Sequence, residues 1–166
     1  MNVYLSLTVL IATALLQSTI FPHIALLGVH PDLLLSVVVA WSLLRGASEG
    51  MLWALIGGII LDLFSGAPFG VHALSLLAVS FLSSLGQHSM FRVDLFLPIL
   101  IIPLSSLLYN GLLLALLGIL GWPADWGDGF TQVILPSALV NALSMPVVYL
   151  LMRTLHRHTG REEITW

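Results

Sequence analysis

Six apolar runs constrain this chain more than any other feature. They cover residues 3–21, 31–44, 47–64, 70–86, 95–120 and 133–152, with short polar connections between them. About 20 apolar residues are needed to cross a bilayer as a helix. The second and third runs are shorter, and the apolar part of the second makes only roughly 18 Å of helix against a ~30 Å hydrocarbon core. They predict a helical hairpin packed within a bundle, with thinned lipid or tilted neighbours making up the difference. Composition points the same way: 58% of the 166 residues are hydrophobic and 8% are charged, too few charges to cover a soluble domain of this size. The expectation is an all-α polytopic membrane protein, a single integral domain with six transmembrane helices.

Several chemistries are excluded at once. The chain has no cysteine, which removes disulfides, thiolate metal sites and cysteine nucleophiles. Its five basic residues are all arginine, so Schiff-base chemistry has no lysine to use. No basic run or aromatic-basic interleaving supports nucleic-acid binding. The first run has no positive region ahead of it and continues past Ala12-Thr13-Ala14, so it reads as a retained helix and not a signal peptide. No Ser-His-Asp order at sensible depth, no helical His pair at metal spacing and no phosphate-cradling glycine loop is present. His156-Arg157-His158 looks like a metal pair but reads as a headgroup-facing tail. The chain is therefore expected to be no enzyme, with no cofactor and no metal.

The arginines set the topology. With six spans, Arg45, Arg92, Arg153, Arg157 and Arg161 all fall on one side. The positive-inside rule then places both termini in the cytoplasm. The other side carries Asp32, Asp62, Asp125 and Asp128 without a permanent cation. Trp122 and Trp126 read as an interfacial anchor, and Trp41 and Trp53 as interface or packing residues. Arg45 with Glu49, and Arg92 with Asp94, read as local ion pairs of little energetic weight.

Three groups of residues are candidates for function. Gly46, Gly50, Ala54 and Gly58 recur every four residues and form a small-residue stripe on which another helix can come close. The stripe ends at Asp62, the lone carboxylate of the apolar run that follows Glu49. With Gln17 and His72 at similar depth, Asp62 forms a candidate polar cluster. Asp62 either caps the fourth helix and closes the Ser65-Gly66-Ala67-Pro68 turn, or serves as a ligand, partner or proton site. Asp62 and His72 alone do not make a metal site. Lastly, Asn110 and Asn141 lie at one depth near the midplane if the last two helices are antiparallel neighbours, and are expected to hydrogen-bond across that pair. Pro103 and Pro146 are expected kinks.

A set of ordered motifs resembles a known family. Leu16-Gln17-Ser18-Thr19 closes the first helix and Pro31-Asp32-Leu33-Leu34-Leu35 opens the second. Gly57-Gly58-Ile59-Ile60-Leu61-Asp62-Leu63-Phe64-Ser65-Gly66-Ala67-Pro68-Phe69-Gly70-Val71-His72-Ala73-Leu74 joins the third to the fourth. Together they resemble the rod shape-determining protein MreD family, in layout over the whole chain and in motif over residues 17–74. The resemblance implies a non-enzymatic membrane scaffold of the bacterial elongation machinery (the elongasome), supporting cell shape and lateral peptidoglycan synthesis. It implies MreC as the direct partner, with RodA, a class B penicillin-binding transpeptidase and MreB reached through it. It also implies a fold similar to the S components of energy-coupling-factor transporters.

That last likeness supplies the alternative: a vitamin-binding S component with an outward pocket. Gln17, Asp32, Asp62 and His72 are available there, and no arginine for an anionic vitamin. The first helix lacks the Ala-x-x-x-Ala pair by which such subunits meet their transmembrane partner. A proton-coupled transporter is disfavoured, because Asp62 has no second intramembrane carboxylate to form a relay. In the scaffold reading, the stripe packs inside the bundle while outer apolar faces receive the single helix of MreC. Gly50→Leu and Gly58→Leu are then expected to disrupt fold and complex together. Membrane lipids and a second copy of the chain are further candidate partners.

Overall fold

The computed structural model describes residues 3–19, 28–86, 96–122, 127 and 129–158. Six α-helices occur there: α1 (Val3–Thr19), α2 (Leu33–Arg45), α3 (Ala47–Ser65), α4 (Val71–Leu85), α5 (Phe96–Ile119) and α6 (Leu135–His158). A π-helical turn, Gly129–Ile134, leads into α6. Arg92, Asp94, Asp125, Trp126, Asp128 and Arg161 lie outside the described residues, so the structure bears on neither the Arg92–Asp94 pair nor the loop anchor at Trp126.

The shortest helix sits at the centre. α2 has 13 residues, and the ten from Leu34 to Leu43 are all buried. It packs against α1, α3, α4, α5 and α6. At about 1.5 Å per residue it is roughly 20 Å long, short of a ~30 Å hydrocarbon core. Three of its neighbours, Ala47–Ser65, Pro98–Ile119 and Gln132–His158, are long and apolar enough to cross a membrane. α1, α2 and α4 are apolar but shorter.

Local chemistry sets the ends of α2. Asp32 is its N-cap, its Oδ1 accepting from the Leu35 amide at 3.2 Å, which satisfies one of the donors a helix start leaves free. Gly46 ends it at φ +86°, with its N–H bonded to the Ser42 carbonyl at 2.9 Å. α3 begins at the next residue, and a glycine suits a reversal this tight at positive φ. Gly46 is therefore the turn of the hairpin and the N-cap of α3, its carbonyl accepting from the Gly50 amide at 3.0 Å.

The interior combines aromatic and hydroxyl packing. Trp41 and Trp53 are buried and stacked, ring centroids 4.3 Å apart at 16°. Ser42 and Ser80 share a hydrogen bond at 2.8 Å between α2 and α4, and Ser83 and Ser105 one at 3.2 Å between α4 and α5. Such hydroxyl pairs satisfy each other where lipid offers no partner. α5 and α6 run on through Pro103 and Pro146.

The end of α6 departs from expectation. The helix continues to His158, so Arg153, His156 and Arg157 are helical and not part of a tail. The reason lies across the bundle. Arg45 Nε donates to His156 Nδ1 at 2.7 Å, while its guanidinium lies 5.3 Å from the Trp41 ring and 3.5 Å from Glu49 Oε1. His156 is thus a tie between α6 and α2, not a headgroup-facing residue.

Candidate functional site

The candidate residues gather at the end of the bundle opposite Arg45, where α1 and α3 finish and α2 and α4 begin. Asp62 lies in the last turn of α3 and is 4% exposed. Its Oδ2 accepts from the Gly70 amide at 2.9 Å and from the Ala73 amide at 3.3 Å, and its Oδ1 accepts from the His72 amide at 2.9 Å. The carboxylate therefore closes the start of α4, where free amides and the helix dipole both favour a negative charge.

The stripe on α3 explains how that cap is reached. A Cβ on Gly58 would stand 2.7 Å from the Ala73 amide nitrogen and 2.9 Å from the Ala73 Cβ. Only a glycine lets α4 come this near. A Cβ on Gly50 would stand 2.9 Å from Ser42 Cα, so Gly50 serves α2 instead. Ala54, between them, is fully buried. The stripe thus faces two helices in turn, α2 near its start and α4 near its end.

Gln17 takes part in a different network. Its Nε2 donates to Asp32 Oδ1 at 3.0 Å and its Oε1 accepts from the Leu34 amide at 2.8 Å, tying α1 to the start of α2. The Asp32 amide donates to Asn141 Oδ1 at 2.7 Å, and Asn141 Nδ2 donates to Ser106 Oγ at 3.0 Å. Asn110 Nδ2 donates to the Ser106 carbonyl at 2.9 Å. Asn110 and Asn141 therefore do not bond each other. Ser106, one turn before Asn110 on α5, stands between them and takes both amides. His72 Nδ1 is 3.1 Å from the Tyr109 hydroxyl, joining α4 to α5.

The expected cluster is thus divided. Asp62 engages backbone, Gln17 engages Asp32, and His72 engages Tyr109. Gln17, Asp32, His72, Tyr109, Asn110 and Ser137 do line one cavity of about 560 Å³, while the Asp62 carboxylate stays behind it. Among the described residues, no three of His, Asp and Glu come together as a metal-binding group. Asp32 is among the residues the sequence offers for an outward pocket, whereas Ser106 and Tyr109 are passed over by a search for isolated intramembrane polar residues. The signal for Asp32 is its place after Pro31 at a helix start. The serine and tyrosine carry none.

Similarity to known proteins decides the family. The family model described as rod shape-determining protein MreD matches residues 1–159. The chain belongs to the MreD family. No curated protein and no solved structure shows significant similarity to it. Membership makes this a membrane protein of a family named for rod-shape determination, in keeping with its all-helical build and three membrane-length apolar helices. The Gly58–Asp62–His72 junction and the Gln17–Asp32–Asn141 network lie within the matched region.

Proposed function

We propose that this MreD-family protein is a non-enzymatic scaffold in the elongation machinery of a bacterial inner membrane, with MreC as its direct partner. Through MreC it joins RodA, a class B penicillin-binding transpeptidase and MreB, and so supports lateral peptidoglycan synthesis. The observation that carries this reading is the family match over residues 1–159. Its build supports it: short connections leave little beyond the helices for a partner to grip. Large apolar side chains point outward instead, among them Leu139, Leu143, Val147 and Leu151 along α6. The termini are assigned to the cytoplasm because Arg45 and Arg153 share one end of the bundle with the C-terminus of α6.

The test is co-purification from native membranes in mild detergent, with mass spectrometry of proteins and small molecules. MreC at stoichiometric yield is the expected result. Recovery of an ATP-binding-cassette module with a bound vitamin instead would replace the scaffold with an energy-coupling-factor S component. Gly58→Leu should lose fold and MreC together, and wild-type stability with full MreC recovery would refute the packing argument.

A further inference from the structure

We infer that the cavity at the α1–α2–α4–α5 end is a binding site for a small organic cation with an apolar body, anchored on Asp32. The inference adds a ligand to the scaffold reading and does not depend on it. At about 560 Å³ the cavity has the size of a small-molecule site. Its walls are of two kinds. Leu61, Phe64, Leu113 and Val133 give an apolar side, and Gln17, Asp32, His72, Tyr109 and Asn110 give a polar one. It reaches the surface, for Ser18, His30 and Phe64 at its rim are exposed.

The charge of the ligand follows from the bonds Asp32 makes. Its Oδ1 accepts both side-chain hydrogen bonds, from Gln17 at 3.0 Å and from the Leu35 amide at 3.2 Å. Among the described residues, Oδ2 accepts none. No arginine among the described residues lines the cavity, and the chain has no lysine. Asp62, behind His72, adds a second carboxylate to the same end and is occupied by three amides. A carboxylate held among helices without a counter-charge is costly, and a cation on its open oxygen removes that cost through a charge-assisted hydrogen bond. An anionic ligand meets repulsion there and finds no fixed cation. An ammonium group on Asp32 Oδ2 leaves the rest of the ligand against Leu61, Leu113 and Val133.

The test uses the full chain in lipid nanodiscs and three probes of one shape: 2-phenylethylammonium, the carboxylate 3-phenylpropanoate and the neutral 3-phenylpropanol. Calorimetric titration should show saturable binding of the ammonium alone. Asp32→Asn keeps a cap acceptor and should weaken that binding about 10- to 100-fold, the effect of one hydrogen bond to a charged group. Equal binding of all three probes, no binding of the ammonium, or undiminished binding by Asp32→Asn would each overturn the inference. Should Asp32→Asn not fold, Val133→Trp decides, since it fills the cavity from the apolar wall: lost binding upholds the site and retained binding overturns it. A partner's lysine or arginine would offer the same chemistry. Release of a co-purified protein by the ammonium probe would assign the cavity to that side chain and overturn the small-molecule assignment.

Discussion

Gly58→Ala is a severe test of the packing between α3 and α4, because two effects of known size oppose each other. Alanine is favoured over glycine in a helix by about 1 kcal/mol, so propensity alone predicts stabilisation. Against it stands the geometry. The new Cβ would be 2.7 Å from the Ala73 amide nitrogen and 2.9 Å from its Cβ, where carbon atoms rest about 3.5–4.0 Å apart. Relief requires α4 to retreat by roughly 1 Å, since the obstacle is backbone and not the end of a flexible side chain. Overpacking of this kind costs about 1–3 kcal/mol. The same retreat draws the Gly70, His72 and Ala73 amides from Asp62, whose bonds are 2.9, 2.9 and 3.3 Å. Each charge-assisted bond lost adds about 1.5–3 kcal/mol. With one such bond lost, the net expectation is destabilisation by about 1.5–5 kcal/mol. Gly111 on α5 is the internal control, because a Cβ there meets nothing within 4 Å, and Gly111→Ala should stabilise by up to about 1 kcal/mol. Reversible unfolding in mixed micelles, followed by circular dichroism, measures both. A Gly58→Ala protein as stable as the wild type, or one that moves with Gly111→Ala, would refute the close approach.

Three further predictions concern the polar ties. Asp62→Asn keeps the shape but replaces one acceptor by a donor, so an amide of α4 loses its partner; unfolding measurements should show a loss of about 1.5–3 kcal/mol, and no loss would remove Asp62 as the cap. A double-mutant cycle on Ser106→Ala and Asn141→Ala should give a coupling of about 0.6–1.7 kcal/mol, larger than the cycle on Asn110→Ala and Asn141→Ala, and the opposite ranking would contradict the bridging role of Ser106. His156→Leu removes the acceptor of Arg45 Nε and should cost about 0.5–3 kcal/mol, with Trp41 fluorescence shifting as the guanidinium leaves its ring; an unchanged spectrum and stability would count against the tie.

The helices are legible in the sequence because the chain interrupts its apolar runs with Pro31, Gly46, Gly66 and Gly70, residues whose backbone preferences mark ends. The Asp62 carboxylate near the end of α3 is visible too, and its spacing from Gly70 and His72 across a turn already allows a helix cap. Which helix lies at the centre is not legible. Val37, Val38 and Val39 of α2 are all buried, while Leu139 and Leu143 of α6 are exposed, yet both stretches are simply apolar. In a membrane the lipid-facing and protein-facing sides have the same chemistry, so periodicity does not separate them. The long-range ties are hidden for another reason. Asp32 meets Asn141 and Arg45 meets His156 only once five helices have taken their places, and neither partner has a local motif. Among the described residues Ser106 is one of thirteen that are polar or charged and buried, and only its position distinguishes it.

The central helix has a consequence for how the protein is made. Its first amide, at Asp32, is taken by Asn141, 109 residues further along the chain, and its last arginine by His156, 111 residues further along. Both partners lie on α6, which leaves the ribosome after the other five described helices. Until then, the Asp32 amide at one end of α2 and the Arg45 Nε at the other lack the partners that α6 supplies. A chain cut short before α6 therefore lacks these two ties at opposite ends of α2, and synthesis of α6 is the step that supplies both.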